Sequence, residues 1–452
     1  MEKAYCWAKL AEDQKIALRY PKGLEQFDDD GNELFMVMEA NLYGAPNAGR
    51  NWSIHRDETL LAEFNKGDWT CVKAEMDPCL FHFTLHNSET DSMEECWAVI
   101  HTDDIDAVST HDNIVDKIFK RLNEIWKIKV VDSGYILGVK RTLQHDDNGK
   151  IKSVDVTMPA FIQGMADAFK DHIPEASIDI PFPDKMRLDK KDAIDDKEIE
   201  EVKALGYQRA IGMILWAARH VFPESKHGCS QCCSVMAVPS RRAFKGAMHM
   251  IAYMVQRKDR GIKFTAQGNQ APVCMSDASN KGDEDDGLSY HGWVIMWAGG
   301  PIASASKKLT MVGTSSEHNE YMGMFYAIRA IVWLRQLMEE MGWDEYISAP
   351  TVVFGDNVCA NRLCKDHFVS TRNQHIYTPY HWVREAVSLG FASIKWASTE
   401  FNLADLFTKA VPRTVIRKLV HILTGHGDLR KLQQILEANL DMDANKMIHS
   451  KN

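Results

Sequence analysis

Val273-Cys274-Met275-Ser276-Asp277 runs from an apolar stretch into an aspartate, between Pro272 and the turn-rich Ala278-Ser279-Asn280. Its length and composition are those of a β-strand bounded by turn signals. Ser289 to Trp297 and Ile302 to Ser306 read as two more strands. A long amphipathic helix follows from Ser315 to Met341, with Tyr321, Met324, Ile328, Ile331, Leu334 and Met338 on its apolar face. Next come a strand at Thr351-Val352-Val353-Phe354, helices near Ala360 and from Tyr380 to Leu389, a strand from Phe391 to Trp396, and a helix from Asn402. Three strands, helix, strand, helices, strand, helix is an α/β layout around one mixed sheet.

Acidic residues fall where strand ends and helix starts would gather them. Asp277 ends an apolar strand, and Asp356 follows Val352-Val353-Phe354-Gly355. A carboxylate so placed needs a partner or a cation. Several together raise one another's pKa, and a divalent ion reverses that penalty. Two Mg²⁺ ions about 3.5–4 Å apart, or Mn²⁺ in their place, would suit phosphodiester hydrolysis. Each acid also has a plainer reading. Asp277 suits a turn, Asp356 before Asn357 suits a turn start, and Asp405, three residues after Asn402, suits helix capping. Thr314-Ser315-Ser316-Glu317 has capping-box spacing, which assigns Glu317 to the helix start and leaves Glu320, one turn further in, without that duty.

Four segments in order carry a resemblance. Ser315-Ser316-Glu317-His318-Asn319-Glu320-Tyr321, Gly355-Asp356-Asn357, Arg372-Asn373-Gln374-His375-Ile376 continuing through Tyr380 to Glu385, and Asn402-Leu403-Ala404-Asp405-Leu406-Phe407-Thr408-Lys409 resemble the RNase H motifs of copia-type LTR retrotransposons. The resemblance implies an RNase H-like domain whose metal-binding catalytic carboxylates are Asp277, Glu320, Asp356 and Asp405. The catalytic histidine of the cellular enzymes has no counterpart in Trp396-Ala397-Ser398-Thr399-Glu400-Phe401, which leaves the proton donor to the leaving group unassigned.

Upstream, Phe35 to Met38, Cys79 to Phe83 and Cys96 to Ile100 read as strands, and Asn113 to Trp126 as a helix. Ile100-His101-Thr102-Asp103-Asp104-Ile105 sets two acids at the tip of a hairpin, a pattern that tight turns also produce. Leu42-Tyr43-Gly44-Ala45-Pro46-Asn47-Ala48-Gly49-Arg50-Asn51-Trp52, Asp77-Pro78-Cys79-Leu80-Phe81, Tyr135-Ile136-Leu137-Gly138-Val139 and, more loosely, Tyr207-Gln208-Arg209-Ala210-Ile211-Gly212 resemble the reverse transcriptase of the same family. The resemblance implies that Asp103 and Asp104 are polymerase metal ligands. The family's Tyr-Val-Asp-Asp is here His101-Thr102-Asp103-Asp104, and Asn47 stands where Gln is usual. Met1-Glu2-Lys3-Ala4-Tyr5 resembles the residues just after the first catalytic Asp, which would stand one position before Met1. The expectation is a palm remnant that does not polymerise DNA as given.

The 452 residues suffice for two or three domains, with 45% hydrophobic and 26% charged residues, an ordinary globular balance. No stretch approaches the roughly 18 apolar residues of a membrane span. The N-terminus lacks a signal-peptide layout, and the ten scattered cysteines fit reduced thiols, so a cytoplasmic or nuclear location is expected. The net charge of −10 hides a segment, Glu201 to Gly268, with eleven Lys/Arg against three acids. Its Arg241, Arg242, Lys245, Arg257, Lys258, Arg260 and Lys263 are candidates for tracking nucleic-acid phosphates, although a solvated helix face has the same composition. Ala210 to Met236, broken by Pro223, and Arg241 to Arg257 have helical spacing. His227-Gly228-Cys229-Ser230-Gln231-Cys232-Cys233 lacks the second ligand pair of a zinc site and reads as packed helix.

The reading is a multidomain α/β chain: a reverse transcriptase fingers/palm remnant of α+β character over 1–153, a mainly helical thumb/connection over 154–268, an RNase H-like mixed-sheet domain over 269–415 and a helical tail over 416–452. The expected activity is endonucleolytic hydrolysis of RNA in RNA–DNA hybrids, with two Mg²⁺ per site. The expected partners are such hybrids and template-primer nucleic acid, with no membrane. The alternative is a degenerate fragment that binds nucleic acid without catalysis.

Overall fold

The computed structural model describes residues 3–88, 91–131, 134–184, 186–265, 271–279, 286–365 and 377–428. The segment Arg372 to Ile376 and the tail beyond 428 lie outside the described residues. The chain forms two compact units, 1–137 and 138–452.

In the first unit, strands Trp69–Lys73, Leu80–Asn87, Ser92–His101 and Asp104–Ser109 form an antiparallel meander in sequence order. Phe81, Phe83, Cys96, Ala98 and Ile100 alternate with more exposed neighbours, as a sheet covered on one face requires. They pack with Trp52, Leu60 and Phe64 of helix Ala48–Phe64, and with Ile114, Ile118 and Leu122 of helix Asp112–Ile125. The three strands and the helix read from the sequence in this region are therefore present, with ends shifted by a few residues.

The second unit opens with strands Val139–His145 and Ile151–Thr157, which pair antiparallel and are joined by Ile262–Thr265. Helices Pro159–Ala168, Tyr207–His220, Lys226–Ser234 and Arg241–Val255 share one core around Ile162, Ile211, Ile214 and Ile251. The break at Pro223 is a short 3-10 turn, Pro223–Ser225. As expected of His227 to Cys233, this stretch is buried helix: the Tyr207 hydroxyl donates to the Cys232 carbonyl at 2.9 Å, and the His227 and Gln231 side chains meet at 2.9 Å.

The remainder of this unit is a five-stranded mixed sheet. Its order is Gly300–Lys308, Tyr290–Trp297, Val273–Ala278, Thr351–Gly355, Ala392–Trp396. The first three strands pair antiparallel, and the last two run parallel to Val273–Ala278. That central strand is buried at every position because both faces are covered. One face carries helices Ser316–Glu340 and Tyr377–Ser388 over Cys274, Ile295 and Val353. The other carries Leu403, Phe407 and helix Arg413–Leu423 over Met275, Val294 and Phe354. This is the single mixed sheet, covered by helices on both faces, that the order of strands and helices led one to expect.

One local expectation needs correction. The long helix is capped by Ser315, not Thr314: Ser315 Oγ accepts from the His318 amide at 3.1 Å. The residue three beyond the cap is therefore His318, and Glu317 does not close a box. The sequence offered Thr314, Ser315 and Ser316 in a row, and spacing alone does not choose among adjacent hydroxyls.

Candidate metal centre

Register brings the first two acids together. Val273 pairs with Val352 and Met275 with Phe354 on the neighbouring parallel strand. Continuing that offset sets Asp277 level with Asp356, at the carboxyl ends of adjacent parallel strands. Such ends form the usual ligand crevice of α/β sheets. Glu320 comes from the long helix, and its Oε2 accepts from the Ala278 amide at 3.0 Å. The helix lies close because Gly323, one turn on, has no side chain. A Cβ there would meet the Asp277 carbonyl and Ser276 Oγ at 3.2 Å.

Asp405 sits in the 3-10 turn Leu403–Phe407. Asn402 fixes that turn twice: its Oδ1 accepts from the Ala404 amide at 3.0 Å, and its Nδ2 donates to the Ser276 carbonyl at 3.0 Å. The cap is thus satisfied by Ala404, and the Asp405 side chain has no capping duty. The turn reaches the sheet because Gly292 leaves room: a Cβ there would stand 2.5 Å from Phe407 Cβ.

Oxygens of Asp277, Asp356 and Asp405 lie within 4.8 Å of one another. Asp277 is 1% exposed, Asp405 5% and Glu320 8%. Burial, then the charges of Asp277 and Asp356, push Glu320 up to about 10. Burial, then Asp277, push Asp405 up to about 8. Asp277 is also raised, first by burial, against the opposing pull of Lys409 and Thr408. Without a divalent ion, Glu320 and Asp405 therefore hold their protons more tightly than free carboxyls do.

Several neighbours escaped the sequence reading. Thr408 Oγ1 donates to Asp277 Oδ2. Thr399 Oγ1 donates to Asp356 Oδ2 at 2.9 Å, from the segment where no histidine was found. Lys409 Nζ lies 3.0 Å from Asp405 Oδ1 and 3.7 Å from Asp277 Oδ2. Burial works to lower the Lys409 pKa, but Asp277 and Asp405 outweigh it and hold it above its ordinary value. A cavity of about 570 Å³ opens on Asp277, Glu320, Asp356 and Lys409, with Arg187 and His227 on its wall. The i, i+4 spacing of Asp405 and Lys409 was a usable signal. Arg187 and His227 gave none, because only tertiary packing brings them there.

The donor set fits Mg²⁺ or Mn²⁺: it consists of hard carboxylate oxygens. Asp405 Oδ1 is buried and faces the Lys409 ammonium without an aligned hydrogen bond.

The other predicted pair is in the first unit. Thr102 turns the hairpin with φ 56°, and Asp104 opens the second strand opposite His101. The Trp52 indole donates to the Thr102 carbonyl at 3.0 Å, and Arg56 donates to the Ile100 carbonyl at 2.7 Å. Asp104 Oδ2 accepts from the Leu137 amide at 3.1 Å. Among the described residues Asp103 and Asp104 are not joined by a third acid, histidine or cysteine at metal-binding distance.

Four residues of the basic stretch carry ion pairs. Arg241 pairs with Glu201 at 2.5 Å, Arg242 with Asp192 at 3.1 Å, Arg257 with Asp179 at 3.8 Å, and Arg260 with buried Glu224. Asp179 and Asp192 lie outside the window whose charge was counted, so the local excess was partly neutralised from elsewhere. Lys245 and Lys258 are exposed.

No protein-family profile matches the chain. It is 23% identical over 92% of its length to the retrovirus-related Pol polyprotein from transposon TNT 1-94 of Nicotiana tabacum, covering 30% of that protein. It is 29% identical over 47% of its length to the Pol polyprotein from transposon RE2 of Arabidopsis thaliana, covering 14% of it. The Ty1-DR1 Gag-Pol polyprotein of Saccharomyces cerevisiae is 21% identical over 92% of the chain and is covered for 23% of its length. The chain thus spans less than a third of each of these relatives. Among solved structures, LC11-RNase H1 in complex with RNA/DNA hybrid matches 30% of this chain and 93% of its own, at 14% identity and TM-score 0.24. The foamy viral protease-reverse transcriptase in complex with dsDNA matches 87% of this chain and 66% of its own, at 14% identity and TM-score 0.20. The chain is similar, over nearly its whole length, to a part of copia-type, retrovirus-related Pol polyproteins from transposons.

Proposed function

We infer that the centre around Asp277 is a nuclease site that hydrolyses RNA in RNA–DNA hybrids with divalent metal. One observation carries this reading: oxygens of Asp277, Asp356 and Asp405 lie within 4.8 Å of one another, and Glu320 opens on the same cavity. Asp277, Glu320, Asp356 and Asp405 would hold the ions, Mg²⁺ or Mn²⁺. When bound, the metal supplies activation of water and charge neutralisation at the phosphodiester.

The chain's own residues do the rest. Thr408 and Thr399 orient one oxygen each of Asp277 and Asp356. Glu320 is tied to the Ala278 amide, so its second oxygen is the one available to a ligand. Arg187, on the cavity wall, places positive charge where an entering phosphate needs it. The Asp103–Asp104 hairpin is proposed as a second site for template-primer nucleic acid and metal, braced from beneath by Trp52 and Arg56.

Labelled RNA–DNA hybrid is incubated with the purified chain and Mg²⁺, beside single-stranded RNA and an Asp356→Asn variant. Cleavage of the hybrid's RNA strand that disappears in the variant is the expected outcome. Binding of the hybrid without any Asp356-dependent cleavage would instead favour a nucleic-acid-binding, non-catalytic protein.

A further inference from the structure

The carboxylate cluster carries its own cation. Lys409 Nζ reaches Asp405 Oδ1 at 3.0 Å and Asp277 Oδ2 at 3.7 Å. One ammonium therefore stands on two of the three acids that a divalent ion would bridge. The seat is loose. The Lys409 side chain is 42% exposed, against 8% for Asp405 and 2% for Asp277. Its contact with Asp405 is one of proximity, since Asp405 Oδ1 has no aligned hydrogen bond. Asp277 Oδ2 is held otherwise, by the Thr408 hydroxyl. A long flexible stem with an open flank can withdraw its charged end to solvent without disturbing the turn that carries it.

We propose that Lys409 is a built-in competitor for divalent ions: its ammonium neutralises the acids while no ion is bound, must withdraw when one binds, and so sets the concentration at which the site fills. The proposal rests on the reading of these acids as metal ligands. The sign follows from charge alone. Removing the lysine removes an attraction present only in the ion-free state and a repulsion present only in the filled one, and both changes favour the ion. Solvent access to Lys409 screens much of this, which leaves an effect of about tenfold in affinity.

Mn²⁺ binding to the full chain, followed by the electron paramagnetic resonance of free Mn²⁺ at fixed pH and low ionic strength, tests it. Lys409→Gln and Lys409→Ala are expected to bind about tenfold more tightly than the wild type. Lys409→Arg should stay near wild type, and Asp356→Asn should lose the site. Circular dichroism confirms that each variant is folded. Unchanged or weaker binding in both Gln and Ala variants overturns the proposal, and so does undiminished binding in Asp356→Asn, which would put the ion elsewhere. The nuclease reading fails separately: tighter Mn²⁺ binding in Lys409→Gln, with no hybrid cleavage by the wild type, leaves the competitor role intact and removes the activity.

Discussion

Replacing Glu320 by Gln is expected to stabilise the metal-free chain. Burial and the neighbouring Asp277 and Asp356 charges raise the Glu320 pKa from 4.5 to about 10. At neutral pH the folded state therefore keeps a proton that the unfolded chain has released. Stability then falls with rising pH between about 4.5 and about 10, and is insensitive to this group below that window. At pH 7 the gap above 4.5 is 2.5 units, at about 1.4 kcal/mol each, or about 3 kcal/mol in total. Gln keeps the volume and an oxygen to accept from the Ala278 amide at 3.0 Å, but it never ionises. In a unit of this size each kcal/mol moves the melting temperature by about 2 °C, so the gain at pH 7 is roughly 6 °C. Thermal melts in chelator at pH 5, 7 and 9 should show almost no gain at pH 5 and the largest at pH 9. A gain that does not depend on pH, or a loss at pH 9, would refute the reasoning. Saturating Mg²⁺ should narrow the difference, because the wild type alone retains its full set of ligands.

Three further substitutions probe how the site is held. Thr408→Val removes the hydroxyl that donates to Asp277 and should cost about 1–3 kcal/mol, read as a lower melting temperature; no change would mean that the hydroxyl does not hold Asp277. Gly292→Ala puts a methyl 2.5 Å from Phe407 Cβ, so the Asp405 turn must shift. Weaker Mn²⁺ binding is expected, and wild-type binding would show that the turn tolerates displacement. Asn402→Ala removes both the Ala404 cap and the bond to Ser276, at about 2 kcal/mol. Chemical denaturation should register it, and a change under half that size would rule out the double anchor.

The five-stranded mixed sheet was legible in sequence because its strands and helices are regular and follow one another in a set order. The apolar runs at 273–277 and 351–354 located two strands, and their acids were singled out by position together with the resemblance, since position alone also suited turns. Glu320 was separated from Glu317 by assuming a cap at Thr314. The cap proved to be Ser315, so that argument falls, and Glu320 is left with its place before Tyr321 in the resemblance and its contact with Ala278. Asp405 was ambiguous in sequence because Asn402 is a capping residue; Asn402 does cap, but toward Ala404, which frees Asp405. What sequence could not supply were partners far apart in the chain. Thr408 meets Asp277 across 131 positions, and Arg187 joins the cavity from a segment outside any helix or strand. The ion pairs of the basic stretch were hidden for the same reason, since Asp179 and Asp192 reach it only in the fold.

The central claim is that Asp277, Glu320, Asp356 and Asp405 form one divalent-metal centre. Crystals soaked in Mn²⁺ and measured at the manganese absorption edge test it most directly. The account predicts an anomalous peak within coordinating distance of Asp277 and Asp356, and its absence from crystals of Asp356→Asn. Ordered manganese elsewhere in the protein, with none between these carboxylates, would contradict it.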